Sequence, residues 1–252
     1  MTLQEELLLF SHREIKAKDV FYIKEISKPQ AYEFVKKYHY LGDAKFFCQQ
    51  AFGLFALHGD QLLGIATFAQ PQGIASMKGW FGLTPQDKFI YELSRLCVLP
   101  VLNKTNATSF LLGGSIKELK KQKKIKAVIT LADSTRHVGS IYQVCNFKYY
   151  GLSPQKNDFF WMDGDKLKPT PRGTSRDKHG VWLPRSRKHR YAYILDKSLK
   201  CLYDEEPYPK SDIRLNLECC NGTKVVHDRR FDEWYTCPRC TGKLERLEET
   251  HD

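Results

Sequence analysis

Residues 89–132 read FIYELSRLCVLPVLNKTNATSFLLGGSIKELKKQKKIKAVITLA, and the fold turns on this stretch. Residues 89–99 are β-rich and apolar and are stopped by Pro100, which predicts a strand. Residues 105–121 place Leu111, Leu112, Ile116 and Leu119 on roughly one face of a helix. Residues 127–132, AVITLA, form a continuous apolar run suited to a strand covered on both sides. A strand, a helix and a strand at this spacing require a right-handed crossover, which makes the sheet a mixed one.

Outward from that centre, residues 31–40 follow Lys28-Pro29 and predict a short helix stopped by Gly42. Residues 46–57 and 62–70 predict two strands joined by a tight turn at His58-Gly59-Asp60-Gln61. Downstream, residues 138–144 predict a short helix, and residues 147–150 and 159–162 two closing strands. The expected fold class is therefore α/β, a mixed central sheet flanked by helices. Past Asp163 the texture becomes polar and Pro/Gly-punctuated. Residues 181–183 and 191–195 are expected to return to the sheet as a short strand pair. The chain divides into a catalytic domain over 1–165, a basic arm over 166–200 and a small module over 201–252.

The 252 residues carry 40 Lys+Arg against 29 Asp+Glu, a net charge of +11. Eleven basic and two acidic residues fall between Lys166 and Lys200, so this segment holds most of the excess. Such a run suggests a polyanionic partner. No apolar stretch is long enough for a membrane span, and Met1–Leu9 has glutamates where a signal peptide is basic. A protein of the cytoplasm with no membrane partner is expected.

Cys237-Pro238-Arg239-Cys240 has the form of a zinc knuckle, because two intervening residues let both thiolates meet one tetrahedral metal. Cys219 and Cys220 lie upstream at ribbon-like distance. Their adjacency leaves open whether both ligate or whether His227 or Cys201 completes the set. A structural zinc would staple a module too small to hold itself together.

The second constellation runs from Asp133 through Ser134, Thr135, Arg136 and His137 to Tyr142. It starts where an apolar strand ends, a place where polar side chains tend to face a crevice. Ser140-Ile141-Tyr142-Gln143-Val144-Cys145-Asn146-Phe147 resembles the late helix-to-strand motif of GNAT acyltransferases. That resemblance implies a GNAT-like sheet, an acyl-CoA-like donor, and Tyr142 as the acid that protonates the departing thiolate. The glycine-rich phosphate loop of those enzymes is missing. Its place, Val101 to Thr108, offers Asn and Thr caps and one lysine instead, so that Val98, Asn103, Lys104, Asn106 and Thr108 are the candidate donor contacts.

A narrower resemblance combines several motifs. His39-Tyr40-Leu41-Gly42, Glu92-Leu93-Ser94-Arg95-Leu96, Ala132-Asp133-Ser134, Tyr142 and Arg187-Lys188-His189-Arg190-Tyr191 together look like the Mom family of phage DNA adenine-modification proteins. Membership implies attaching a carbamoylmethyl group to the exocyclic amine of adenine in DNA, which protects phage DNA from restriction. Asp133 would orient or deprotonate that amine, or bind another catalytic group. Ser94 and Arg95 would contact donor or acceptor, and His39 and Tyr40 would face the same crevice. Iron is associated with the family, which makes His39 the first ligand to consider. Arg185, Arg187, Lys188, Arg190 and Tyr191 would face DNA, with Trp182, His189 and Tyr191 stacking on an extruded base. Two other readings compete: an acyltransferase acting on a protein, tRNA or small amine, and a nucleic-acid-binding protein without chemistry. Simpler roles also exist, with His39 capping its helix, Arg95 pairing with Glu92 and Asp133 starting the next helix.

Overall fold

The computed structural model describes residues 16–42, 45–71, 74–84, 87–103, 105–122, 124–163, 166–169, 180–210, 225–228, 233–237 and 247. The chain forms two compact units. The first comprises Met1–Ala132, Gly139–Gly151 and Arg190–Pro209; the second comprises Asp133–Val138, Leu152–His189 and Lys210–Asp252. The basic run is thus divided between them at His189 and Arg190.

The first unit is built on a seven-stranded sheet of order β1-β2-β3-β4-β5-β10-β6. Strand β1 (Phe21–Glu25) leads to helix α1 (Lys28–Tyr38). Ser27 caps this helix reciprocally with Gln30, satisfying two donors that the first turn leaves open. Pro29 lies inside the first turn rather than ahead of the helix, because its missing N–H has no intrahelical partner to lose there. Strands β2 (Gln50–Ala56) and β3 (Leu62–Ala69) are buried nearly throughout and pair antiparallel, as the expected hairpin does. Helix α2 (Ile74–Phe81) follows, and neither it nor β1 was evident in the periodicity.

Strand β4 (Ile90–Val98), helix α3 (Ala107–Lys121) and strand β5 (Ala127–Asp133) realise the strand-helix-strand centre. β4 pairs antiparallel with β3 and parallel with β5. α3 buries Leu111, Leu112, Ile116 and Leu119 against Leu54, Leu63, Ala66 and Phe68 on one side of the sheet. α1 packs Ala31, Phe34 and Val35 with Phe55 and Ile65 on the other. Each large side chain so removed from water contributes about 1.5–3 kcal/mol. α3 approaches β1 closely at Gly114, where a Cβ would strike Ile23, whereas Gly113 has open space beside it. Helix α4 (Ser140–Val144) is short and starts from Gly139 at φ +83°. A Cβ on Gly139 would lie 2.7 Å from Tyr191, so both the backbone and the space require glycine. Strand β6 (Lys148–Leu152) completes this unit's helix-strand order.

The closing elements correct the expected topology. Of the two anticipated returning strands, only β10 (Lys188–Ile194) enters the main sheet, between β5 and β6. β9 (Gly180–Pro184) instead pairs with β7 (Asn157–Asp163), which also pairs with β8 (Lys166–Pro169), in a separate three-stranded sheet. Strand β7 therefore does not close the main sheet. Local β-pattern is the same for either partner; the tilted ring contact of Phe159 with its cross-strand partner Trp182 and the close backbone approach at Gly180 select this one. A hairpin of β11 (Val225–Asp228) and β12 (Glu233–Thr236) follows in the second unit, with Tyr235 packed among Val181 and Leu183. Among the described residues no helix is long and apolar enough to cross a membrane.

Candidate active site

In the first unit, β4 and β5 are paired only at Ile90↔Ala127, Tyr91↔Val128 and Glu92↔Ile129. β4 continues to Val98 alongside β3, and β5 continues to Asp133, so the two strands part beyond Glu92. At the same place β4 carries a bulge: Thr67 pairs with Arg95 and Phe68 with Leu93, leaving Ser94 as the extra residue. A bulge reverses the alternation of faces. Leu93 and Leu96 both pack on the α3 side, while Cys97 joins the α1 side, so Arg95 is carried to the α1 side.

Arg95 lies over the Phe46 ring, its guanidinium carbon 4.8 Å from the centroid, and its Nη1 donates to the Ser94 carbonyl at 2.7 Å. The expected alternative of an ion pair with Glu92 does not form, although burial raises the Glu92 carboxyl and the Arg95 charge opposes that rise. Ser94 Oγ makes only a long contact, 3.5 Å, to the Glu92 carbonyl. His39 ends α1, its N–H bonded to Val35 O at 2.9 Å. Its Nδ1 accepts from the Leu41 amide at 3.2 Å, and its ring stacks on Tyr40 at 4.3 Å. Burial first, and then the nearby Arg95 charge, lower its pKa to about 4. His39 is therefore a neutral imidazole at pH 7 whose Nδ1 is occupied and whose Nε2 carries the proton. Tyr40 is 60% exposed.

Tyr142, on α4, is buried against Phe147 and Tyr191 and is hydrogen-bonded to Thr130 of β5. Burial raises its pKa above the usual phenol value, so it holds its proton throughout the neutral range. Thr130 is the first β5 residue beyond the last β4 pair, which puts the Tyr142 hydroxyl where the strands part.

Of the residues expected to hold a donor, Val98 is buried at the end of β4. Asn103 and Asn106 are exposed on the approach to α3, and Thr108 is half-buried in its first turn. The Asn106 side chain makes no capping bond; Thr105 Oγ1 accepts from the Ala107 amide at 3.2 Å in its place. Lys104 lies outside the described residues. A helix start with uncommitted Asn and Thr side chains suits an anionic group. Iron does not fit in the same way: among the described residues no three His, Cys, Asp or Glu side chains gather to hold a metal, and His39 presents an N–H. The tail zinc rests on Cys219, Cys220 and Cys240, which lie outside the described residues, and on Cys237, which is buried directly after β12.

The second unit contains a separate polar cluster. Asp133 Oδ2 accepts from Lys188 Nζ at 2.5 Å and from Ser186 Oγ at 3.0 Å. Its Oδ1 accepts from the Thr135 hydroxyl at 2.8 Å and amide at 3.1 Å. Partial burial alone would push this carboxyl up; the Lys188 and Thr135 hydrogen bonds and the Lys188 charge override it and hold it down at about 2. Such a carboxylate is a weak base and a strong anchor for a cation. His137 stands nearby, its pKa lowered by the partial loss of water around its ring and by the Arg136 and Lys188 charges, against the opposing pull of Asp133.

The residues expected to face DNA are committed within the protein. Arg185 lies 3.9 Å from Asp158, and Arg187 Nε donates to Ser153 O at 2.7 Å. Lys188 holds Asp133, and in the first unit Arg190 lies over the Tyr203 ring at 3.9 Å. Tyr191 is fully buried and His189 is 3% exposed, which corrects their assignment as stacking surfaces. An alternating strand puts every second residue inside whatever its chemistry. Trp182 alone of the three aromatics is exposed, at 51%. Thr130, Thr135 and Ser186 complete these arrangements without any signal in the sequence, since hydroxyls this common acquire meaning only from their neighbours.

The geometry defines a mixed α/β protein with a parted central strand pair and polar side chains gathered at the parting. The sequence profile of the Mom protein family matches residues 20–210. The chain belongs to that family. No curated protein matches it. Among solved structures it is similar to a Bacillus subtilis acetyltransferase in complex with CoA, at 14% identity and TM-score 0.40 over 69% of this chain and 97% of that one. It is also similar to an acetyltransferase of the GNAT family from Streptococcus pneumoniae, at 13% identity and TM-score 0.41 over 69% and 98%. A third is the spermidine/spermine N-acetyltransferase from Vibrio cholerae, at 7% identity and TM-score 0.43 over 73% and 97%.

Proposed function

We propose that this protein is a transferase that modifies DNA, adding a carbamoylmethyl group to the exocyclic amine of adenine. The observation that carries the reading is the Tyr142 hydroxyl, kept protonated by burial and bonded to Thr130 where β5 leaves β4. Membership of the Mom family and a net charge of +11 support DNA as the acceptor.

An acyl-CoA-like donor would supply the group when bound, and for a carbamoylmethyl product that donor must already carry the CH2–CONH2 unit, joined through the CH2 to its leaving group. Asn103, Asn106 and Thr108 at the start of α3 would hold its anionic part. As the bond from the adenine nitrogen to the CH2 carbon forms and the bond from that carbon to its leaving group breaks, the leaving group takes the Tyr142 proton, and the proton lost from nitrogen passes through water back to the Tyr142 oxygen. His39, neutral at working pH, and Arg95 orient the reacting groups without taking up a proton. Asp133, too acidic to accept the amine proton, holds Lys188 in a defined place. A structural zinc in the tail, on Cys237 and Cys240 with Cys219 and Cys220, completes the proposal. Replacing Cys237 and Cys240 by Ser is expected to abolish bound zinc, and full retention overturns that part.

The test is expression in a bacterial host, complete digestion of plasmid and chromosomal DNA, and mass analysis of the nucleosides. A deoxyadenosine adduct that a Tyr142→Phe control lacks is the expected result. Unmodified DNA from folded protein overturns DNA as the acceptor and returns the search to protein, tRNA and small-amine substrates.

A further inference from the structure

Thr67 and Arg95 are direct cross-strand partners on β3 and β4, so their side chains stand side by side on the same face of the sheet. Thr67 is 0% exposed, yet its Oγ1 has no hydrogen-bond partner, and the buried Nε of Arg95 has none either. Two adjacent buried donors without acceptors are costly, and native interiors rarely keep them without a use. The next pair on that face, Ala69↔Glu92, lies beyond Phe68↔Leu93 and brings a carboxyl to the same face because the Ser94 bulge turns Arg95 to it. Phe46 forms a wall against the guanidinium, and Tyr32, which bonds the Phe46 carbonyl at 2.7 Å, fixes that wall.

We propose that Thr67, Arg95 and Glu92 form a pocket for a primary carboxamide, whose oxygen accepts from Thr67 Oγ1 and Arg95 Nε and whose NH2 donates to the Glu92 carboxylate. A bare carboxylate ligand would also satisfy the two donors, but it would place a second negative charge beside Glu92. The neutral amide matches both halves of the site, two donors and one acceptor, in the plane that an aromatic wall favours. The pocket rests on the reading above, in which the carboxamide is that of the transferred group. It adds two residues, Thr67 and Glu92, and the chemistry that selects the group.

The probes are fluoroacetamide and fluoroacetate, followed by fluorine NMR with the full chain and no DNA. Fluoroacetamide is expected to bind, with fluoroacetate at least about tenfold weaker, the size of one charge-assisted hydrogen bond. Thr67→Val should weaken the amide by about tenfold while leaving the thermal midpoint equal or higher, because it deletes an unpaired buried hydroxyl. Glu92→Gln should narrow or invert the preference for amide over carboxylate. Undiminished amide binding in Thr67→Val, equal binding of both probes, or a midpoint lowered by several degrees in Thr67→Val overturns the pocket. Nucleoside mass analysis separates the two readings: amide binding without a DNA adduct sinks the acceptor, and an adduct without amide binding sinks the pocket.

Discussion

Lys188 Nζ donates to Asp133 Oδ2 across 55 positions of sequence, joining the end of β5 to the start of β10. Ser186 closes a triangle with them, at 2.8 Å from Lys188 and 3.0 Å from Asp133. The carboxylate has its pKa depressed to about 2 from the ordinary 3.8, so its contribution to stability is present above pH 3.8 and is lost as pH falls toward 2. The pair is partly exposed, which discounts the effect to about 1–2 kcal/mol. Urea unfolding at pH 6 and pH 3 should show this loss in the native chain and a smaller one in Asp133→Asn. A double-mutant cycle with Lys188→Met should give a coupling of about 1 kcal/mol; a coupling of zero refutes the anchoring role.

Tyr142→Phe removes the acid and keeps the ring packing against Phe147 and Tyr191. The adduct should fall by about 100-fold or more while the thermal midpoint shifts little. Thr130→Val should lower product less, since it loosens the hydroxyl without removing it. Full product from Tyr142→Phe contradicts the proposed acid.

His39 is held at about pKa 4 against an ordinary 6.5. An imidazole buried in the neutral form stabilises the fold above pH 6.5, and this contribution drains away as pH falls from 6.5 toward 4. An NMR titration of the ring should therefore show a midpoint near 4. His39→Ala should flatten the fall in stability between pH 6.5 and 4.5. A midpoint near 6.5 excludes the buried, Arg95-flanked setting.

Gly139→Ala forces a side chain onto φ +83° and into Tyr191, Tyr142 and Ala132. A loss of about 2–4 kcal/mol is expected from strain and overlap together. Gly113→Ala is the counter-case, with open space around it inside α3 and a gain of about 0.5–1 kcal/mol. Thermal unfolding of the two variants should move in opposite directions.

The strand-helix-strand centre was legible in residues 89–132 because burial on both faces leaves β5 an almost unbroken apolar run, Pro100 delimits β4, and α3 shows a one-sided apolar face. The hairpin of β2 and β3 was legible for the same reason, and the family emerged from motif order. Helix α2 was missed because its eight residues give too few turns for periodicity to register. β9 was assigned to the wrong sheet because alternation predicts a strand and says nothing about its partner.

What the sequence determined by itself was local: which segments extend, which coil, and which residue types able to carry chemistry lie at their ends. Only the tertiary structure decided which way those residues point. The bulge at Ser94 is one extra residue in the β3–β4 register, yet it turns Arg95 from the α3 core toward Thr67, Phe46 and the parting of β4 and β5. Tyr191 and Lys188 sit three positions apart in one basic stretch, and the pleat of β10 buries the first while Asp133 takes the second. Composition sums such charges without regard to partners. A fold distributes them, because each buried donor or cation must find its acceptor among residues that only folding brings near.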